Sequence, residues 1–171
     1  MWTWQGLVTY YTVFVIDLAS RRVQILGSTP HPDDLFTRQV GRTLTAADEG
    51  IFVSHRVLIC DRDAKGSAAV RKRLEEAGLR LVHTPFHAPN ANAYAERFVR
   101  SIKEECLDRM IPLGERHFRR AVHEFVAHYH RERNHQRLGN PLIDGAPVRR
   151  QGRIRRRARL GGLLNYYERA A

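Results

Sequence analysis

The sequence predicts an α/β fold, a mixed sheet flanked by helices. Two observations support that expectation. Short runs rich in β-branched and aromatic residues alternate with stretches whose apolar residues recur at helical spacing. Their order is three strands, helix, strand, helix, strand, helix, helix, which is the interleaving that α/β layers need.

Residues 2–4, then Gln5-Gly6, then residues 7–16 read as a strand end, a tight turn and a long strand. Leu18-Ala19-Ser20-Arg21 makes a second turn. Residues 22–28 form the next strand, with Val23, Ile25 and the small Gly27 alternating against polar neighbours. Together these predict an antiparallel meander. Pro30 and Pro32 break the chain, and Asp33-Asp34 starts a helix with acids in its first turn. Leu35, Phe36, Val40 and Leu44 give that helix an apolar stripe. Residues 56–60 predict a short, buried apolar strand ending at Asp61, central in the sheet. Residues 67–77 read as a helix stopped by Gly78, and 79–83 as another strand. A loop over 84–90, with Pro85 and Pro89, leads to Asn92, a natural N-cap for a helix over about 93–109. A second long helix is expected over about 114–132. Beyond it Gly139, Pro141, Gly145 and Pro147 make the chain irregular, and no internal repeat occurs.

A length of 171 residues allows one domain with a proper core. The 29 basic and 18 acidic residues give a formal charge of +11, which favours polyanions, nucleic acid above all. A merely solvated basic surface is the alternative. Arg149, Arg150, Arg153, Arg155, Arg156, Arg157 and Arg159 fall within eleven residues that contain no acid. Such a block predicts a flexible or weakly helical arm that meets phosphates, or else a frayed, solvated tail. The chain is therefore divided into a domain over 1–147 and an Arg-rich tail over 148–171, with Arg153, Arg155, Arg156 and Arg157 as DNA-binding candidates.

Cys60 and Cys106 have no paired spacing, which argues against a disulfide scaffold and for a reducing compartment. The absence of CxxC excludes a zinc finger. His117, His123, His128 and His130 cluster, and are read as surface or polar-core residues rather than metal ligands. The apolar run 7–19 is broken by Asp17, is too short to span a bilayer and reads as strand.

Asp61 closes a strand and Glu96 opens a helix after a Pro-rich loop. Carboxylates at strand ends and helix starts can converge above a sheet edge, and hard divalent cations take carboxylate oxygens. Two metals roughly 4 Å apart serve phosphodiester chemistry. Alone, the pair is weak evidence, since Asp61 could form a turn and Glu96 could favour the helix dipole.

The surrounding residues sharpen this. Pro89-Asn90-Ala91-Asn92-Ala93-Tyr94-Ala95-Glu96 resembles the Pro-x-x-Asn-Gly-x-x-Glu signature around the last acid of the integrase catalytic core, the retroviral-integrase-like DDE transposases of bacterial insertion sequences. Arg100-Ser101-Ile102-Lys103-Glu104-Glu105-Cys106 is similar to the same family. Val15-Ile16-Asp17-Leu18-Ala19-Ser20-Arg21 resembles its second strand and turn, and Cys60-Asp61-Arg62-Asp63 stands where it places its second catalytic Asp. Thirty-four residues separate Asp61 from Glu96, close to the family spacing. Tyr129 through Asn134 to Leu138 resembles its Tyr-Asn-x-x-Arg-Pro-His-x-x-Leu run. The resemblance covers roughly residues 2–147.

The resemblance implies an RNase-H-like fold and Mg²⁺- or Mn²⁺-dependent cleavage and transfer of DNA strands, with Asp61 and Glu96 as catalytic, metal-holding acids. It implies transposon ends and target DNA as partners, with homo-oligomer formation open. It also implies a cytoplasmic, nucleoid-associated protein of bacterial type, with no membrane partner. Ala93 departs from the family's Gly. The family's first acid lies on the first strand, represented here only by Met1 to Trp4, which contains none. The expectation is thus a first strand largely missing and impaired chemistry. The rivals are an active enzyme that uses Asp17 as third acid, and an inactive basic DNA-binding or assembly protein. Glu96, Arg100, Lys103 and Leu107 share one helical face, so Arg100 and Lys103 fall where the family is thought to grip donor DNA. Tyr94 and Phe98 are read as core.

Overall fold

In the computed structural model of the chain, residues 1–4, 6–46, 55–61, 68–85, 92–135, 142–145 and 151–169 are described. Their elements, in chain order, are β1 (Trp2–Thr3), β2 (Gly6–Leu7), β3 (Tyr11–Ile16), β4 (Val23–Thr29), α1 (Asp34–Thr45), β5 (Val57–Cys60) and α2 (Ala68–Glu76). There follow β6 (Arg80–His83), α3 (Ala93–Glu105), α4 (Gly114–Arg131), β7 (Ile154–Arg159) and β8 (Leu164–Arg169). The α/β character expected from the sequence is present. Among the described residues the strands form four two-stranded sheets, β1-β2, β3-β4, β5-β6 and β7-β8, in place of one mixed sheet. The chain divides into two compact units.

One unit comprises Thr9–Asp17 and Gln24–Glu96. Its core is Val15 of β3, Val40 and Leu44 of α1, Leu74 of α2 and Leu79, with Val13, Leu26, Phe36, Leu58 and Leu81 packed against it. The stripe read from α1 holds at Phe36, Val40 and Leu44, whereas Leu35 is exposed. Asp33 is the α1 N-cap, accepting from the Phe36 amide at 2.8 Å. Gly27 of β4 lets the Phe36 ring lie close, for a Cβ there would stand 2.8 Å from Phe36 Cε2. Thr12 and Ser28 hydroxyls meet at 2.9 Å across β3 and β4. Arg73 Nε of α2 donates to Thr45 Oγ1 at the end of α1 (3.1 Å). After α2 the chain turns at Gly78, whose φ of +81° suits glycine.

Strands β5 and β6 run parallel, Leu58 opposite Leu81 and Cys60 opposite His83. Parallel strands need a long crossover, and α2 lies on it. The expected buried, central strand is corrected here. Among the described strands β5 pairs with β6 alone, and Val57 and Ile59 are exposed. Only the alternate face, through Leu58, joins the core.

The other unit comprises Met1–Val8, Leu18–Val23 and Arg97–Ala171. The long strand expected over 7–16 is divided between the two units. Gly6 and Leu7 pair back on Thr3 and Trp2, helped by Gly6 at φ +102°. The Trp2 amide donates to Pro112 O (3.1 Å), and Trp2 also bridges to Leu113. Tyr11–Ile16 instead pairs with β4, so the expected three-stranded meander becomes two hairpin-sized sheets.

Helices α3 and α4 are amphipathic, and their apolar faces meet. Phe98, Ile102 and Cys106 are buried from one side. Phe118, Ala121, Val122, Phe125 and Tyr129, at three- and four-residue steps, are buried from the other. Phe98 lies edge-on to Tyr129, with ring centroids 5.2 Å apart, and 6.1 Å from Phe125. Tyr94, the other aromatic read as core, is half-buried. Burial pushes the Cys106 thiol up to about 11, so at neutral pH it is a small apolar filler. The helix expected to reach residue 109 ends at Glu105, and a single 3-10 turn, Leu107–Arg109, follows.

The Arg-rich tail is also corrected. Its described residues form an antiparallel hairpin, with Arg156 opposite Tyr167 and Arg159 opposite Leu164. Its turn uses Gly161 and Gly162 at φ +68° and +95°. The strand is anchored at Arg159, which has fixed acidic partners. Arg159 Nε and Nη2 donate to the Glu132 carboxylate at 2.8–3.0 Å, and Nη1 donates to Glu124 at 2.6 Å. His128 Nδ1 donates to Glu132 Oε2, which Arg159 Nε also reaches, at 2.9 Å. The Glu132 side chain is 1% exposed and that of Arg159 18%. Arg157 reaches Glu132 only at 3.7 Å and is 54% exposed.

Burial alone would raise the Glu132 carboxyl, but hydrogen bonds and charge from Arg159 and His128 bring it below its ordinary value. Arg159→Ala should therefore cost about 3 kcal/mol, as removal of one partner of a buried ion pair does. Arg157→Ala should cost under about 1 kcal/mol, because its contacts are long and solvated. Urea melts of the two variants check this. A carboxyl whose folded value lies below its unfolded one stabilises above the unfolded value, about 4.3 for Glu. That stability is lost as pH falls through the folded value. The gap between wild type and Arg159→Ala should be full above about pH 5 and shrink progressively below about pH 4.

Candidate functional site

Asp61 directly follows the last residue of β5. The Thr84 amide donates to Cys60 O at 3.1 Å, which holds that strand end. The Asp61 side chain is exposed. Glu96 occupies the first turn of α3 and is exposed as well, and a carboxylate is favoured there by the helix dipole. Both acids belong to the unit Thr9–Asp17 with Gln24–Glu96. Asp17, the rival third acid, follows β3 in the same unit. It is engaged by His55 Nε2, and its side chain is 10% exposed. Arg62, Asp63 and the stretch Pro89-Asn90-Ala91 lie outside the described residues, as do Arg149, Arg150 and Leu138.

The donor set suits hard cations, since both candidate ligands are carboxylates facing solvent at element ends. Among the described residues no three His, Cys, Asp or Glu side chains gather as a metal-binding group. The α4 histidines have other partners. His128 is buried against Glu132, and His117 Nδ1 accepts from the Leu113 amide at 3.1 Å. His130 Nε2 accepts from the Val23 amide at 3.0 Å. Burial lowers the His130 pKa despite the opposing charge of Asp144, in keeping with an acceptor nitrogen. His123 is exposed.

Arg100 and Lys103 are exposed on α3, and Leu107 beyond the helix end is half-buried. The arrangement that holds α3 was missed in the sequence. Arg133 grips Glu105 at the α3 C-terminus through Nε and Nη2, at 2.8–3.2 Å. Its guanidinium carbon lies 5.7 Å from the centre of the Tyr129 ring. His135 lies edge-on to that ring at 4.6 Å and donates from Nε2 to Tyr129 O at 2.8 Å. Tyr129, Arg133 and His135 stand at the spacing of the Tyr, Arg and His in the resembled run. That spacing was the available signal, but it carries no hint of Glu105.

Of the tail candidates, Arg153, Arg155 and Arg156 are exposed, and Arg157 is exposed but near Glu132 and Glu168. Arg159, counted with the basic block, is committed to Glu132 and Glu124. No helix among the described residues is long and apolar enough to cross a membrane.

Residues 77–141 match the family described as "Integrase core domain". The matched span holds Glu96, all of α3 and α4, and the Tyr129–Arg133–His135 cluster; Asp61 lies outside it. No curated protein and no solved structure matches the chain. Over residues 77–141, then, the chain is similar to the integrase core domain, and that similarity covers less than half of its length.

Proposed function

We propose that this chain acts on DNA in integration or transposition, as the core of a metal-dependent polynucleotidyl transferase. The observation that carries this reading is the integrase-core match over 77–141, which includes Glu96 in the first turn of α3. Asp61 and Glu96 would hold Mg²⁺ or Mn²⁺ through carboxylate oxygens. When bound, such ions activate a water or hydroxyl and stabilise the leaving oxygen in phosphodiester chemistry. Arg100 and Lys103, exposed on α3, neutralise and orient donor-strand phosphates. Arg153, Arg155, Arg156 and Arg157 add a phosphate-binding surface, and the net charge of +11 draws DNA toward the protein. The Arg-rich segment 148–171 is thus an accessory DNA-binding element beside the core.

A second reading is favoured by one observation. Asp17 is engaged by His55, and among the described residues no third carboxylate gathers with other candidate ligands as a metal-binding group. Two carboxylates hold Mg²⁺ weakly, since it dehydrates reluctantly. In that case these 171 residues bind DNA and assemble on it with little chemistry of their own.

Strand cleavage and transfer on labelled DNA ends, in Mg²⁺ and in Mn²⁺, decide between the readings. The expected result is activity near background in Mg²⁺. Supplying an additional strand that bears an Asp ahead of Trp2 should raise it, and Asp61→Asn or Glu96→Gln should then abolish it. Robust activity in the unmodified chain that Asp17→Asn removes would make Asp17 the third ligand. Full activity in Asp61→Asn and Glu96→Gln would remove the catalytic proposal altogether.

DNA binding itself should be salt-sensitive and largely independent of sequence. Deleting the Arg block is a poor test, because it strips Arg159 from Glu132. Arg153→Gln and Arg155→Gln, both exposed, should each lower the slope of log K against log salt by up to about 0.9. An unchanged slope in the double variant, measured by fluorescence anisotropy, would assign phosphate contact elsewhere.

A further inference from the structure

The hairpin of β7 and β8 has two unlike faces. Side chains alternate along a strand, and residues opposite one another in the ladder share a face. The inner face holds Arg157 with Tyr166 and Arg159 with Leu164, and this is the face tied to Glu132 and Glu124. The outer face holds Ile154 opposite Arg169, Arg156 opposite Tyr167, and Ala158 opposite Asn165. All six are exposed, Tyr167 at 63% and Ile154 at 60%. The hairpin's one acid among the described residues, Glu168, lies on the inner face.

The outer cations are held in place. Arg156 Nε donates to Asn165 Oδ1 at 2.7 Å, and Asn165 Nδ2 donates to Gly162 O at 2.7 Å. Arg169 Nη1 donates to Gly152 O at 3.0 Å. A bare aromatic ring thus stands beside oriented guanidinium groups, with an aliphatic side chain on the neighbouring strand and no acid on the face. Tyr and Ile suit a strand wherever they stand, so what marks this face is the exposed ring lying between two oriented guanidinium groups with no acid beside it.

We propose that this outer face is a stacking site for an unpaired DNA strand, with Tyr167 against a base and Arg156 and Arg169 on the flanking phosphates. The proposal deepens the DNA reading and rests on it. The chemistry selects an unpaired strand over a duplex. Every base has a π-face that stacks on an aromatic ring without regard to sequence. In a duplex those faces are covered by neighbouring bases, so Tyr167 gains nothing there, while the arginines still find phosphates. Arg159 is excluded from this role by its acidic partners, and Arg155 and Arg157 stand on the opposite face from Tyr167.

The test uses the full chain and three fluorescein-labelled probes of equal length: oligothymidylate, an abasic strand with the same phosphates, and a duplex. The wild type should prefer thymidylate over the abasic strand by about tenfold. Tyr167→Phe should keep that preference. Tyr167→Ala should erase it and leave duplex affinity within about twofold. Tyr167→Thr, a strand former without a ring, should behave as Tyr167→Ala, which separates loss of stacking from loss of the hairpin. Arg156→Gln should weaken both single strands alike. A wild type that binds thymidylate and abasic strands equally, or a Tyr167→Thr variant that keeps the preference, overturns the stacking site and leaves the DNA reading standing. A chain that binds none of the probes at low salt overturns both.

Discussion

Phe98, Phe125 and Tyr129 interlock the two long helices, and the family-matched segment depends on that contact. A helix of thirteen residues is marginal alone in water, so α3 persists because its apolar face is buried on α4. Burying Phe98 to 1% exposure fixes which face of α3 is turned inward. It thereby leaves Arg100 and Lys103 in solvent. The far end of α3 is fastened by Glu105 to Arg133, whose guanidinium also rests near Tyr129. One aromatic side chain of α4 therefore serves the core contact and the clamp that follows it.

Glu132 is the second organising group. A carboxylate with a side chain 1% exposed is costly unless its lone pairs are met by cations and donors. Arg159 and His128 meet them, and in doing so they fix the hairpin's inner face. The arginines of the basic block consequently divide by strand alternation. Arg159 is held inside by acids, Arg157 lies near them, and Arg156 stands on the opposite face. A run that looks uniform in sequence is thus two chemically different surfaces.

The other unit is built on a thinner core, in which β3, α1, α2 and the β5-β6 pair each contribute a few apolar side chains. Gly27 permits the close approach of Phe36, and α2 covers the crossover that two parallel strands require. Asp61 and Glu96 stand at element ends in this unit, where side chains reach solvent while their backbones are held. Asp17 stands at an element end too, but His55 draws it into an interaction within the protein. The two candidate acids and the rival Asp17 therefore differ in what surrounds them.

The sequence by itself determined the helices, the α/β order and the residues to ask about. Helical periodicity is local, so α1, α3 and α4 were legible within a few residues, as was the stop at Gly78. The spacing around Glu96 singled out the integrase-core segment that the family match covers. Strand partnership is not local, because a strand's hydrogen bonds go to a segment elsewhere in the chain. The division of the run 7–16, the exposed face of β5 and the separate small sheets were decided only in three dimensions. The same reason hid the hairpin. The block Arg149 to Arg159 reads alone as a flexible or weakly helical arm, and the extended strand Ile154–Arg159 is held by the buried Glu132, with Glu124 beside it. Gly161-Gly162 and the alternation after it were local signals of a turn and a strand. What they could not disclose was the acid on a distant helix that gives one face of that strand a partner and leaves Tyr167 and Arg156 facing solvent.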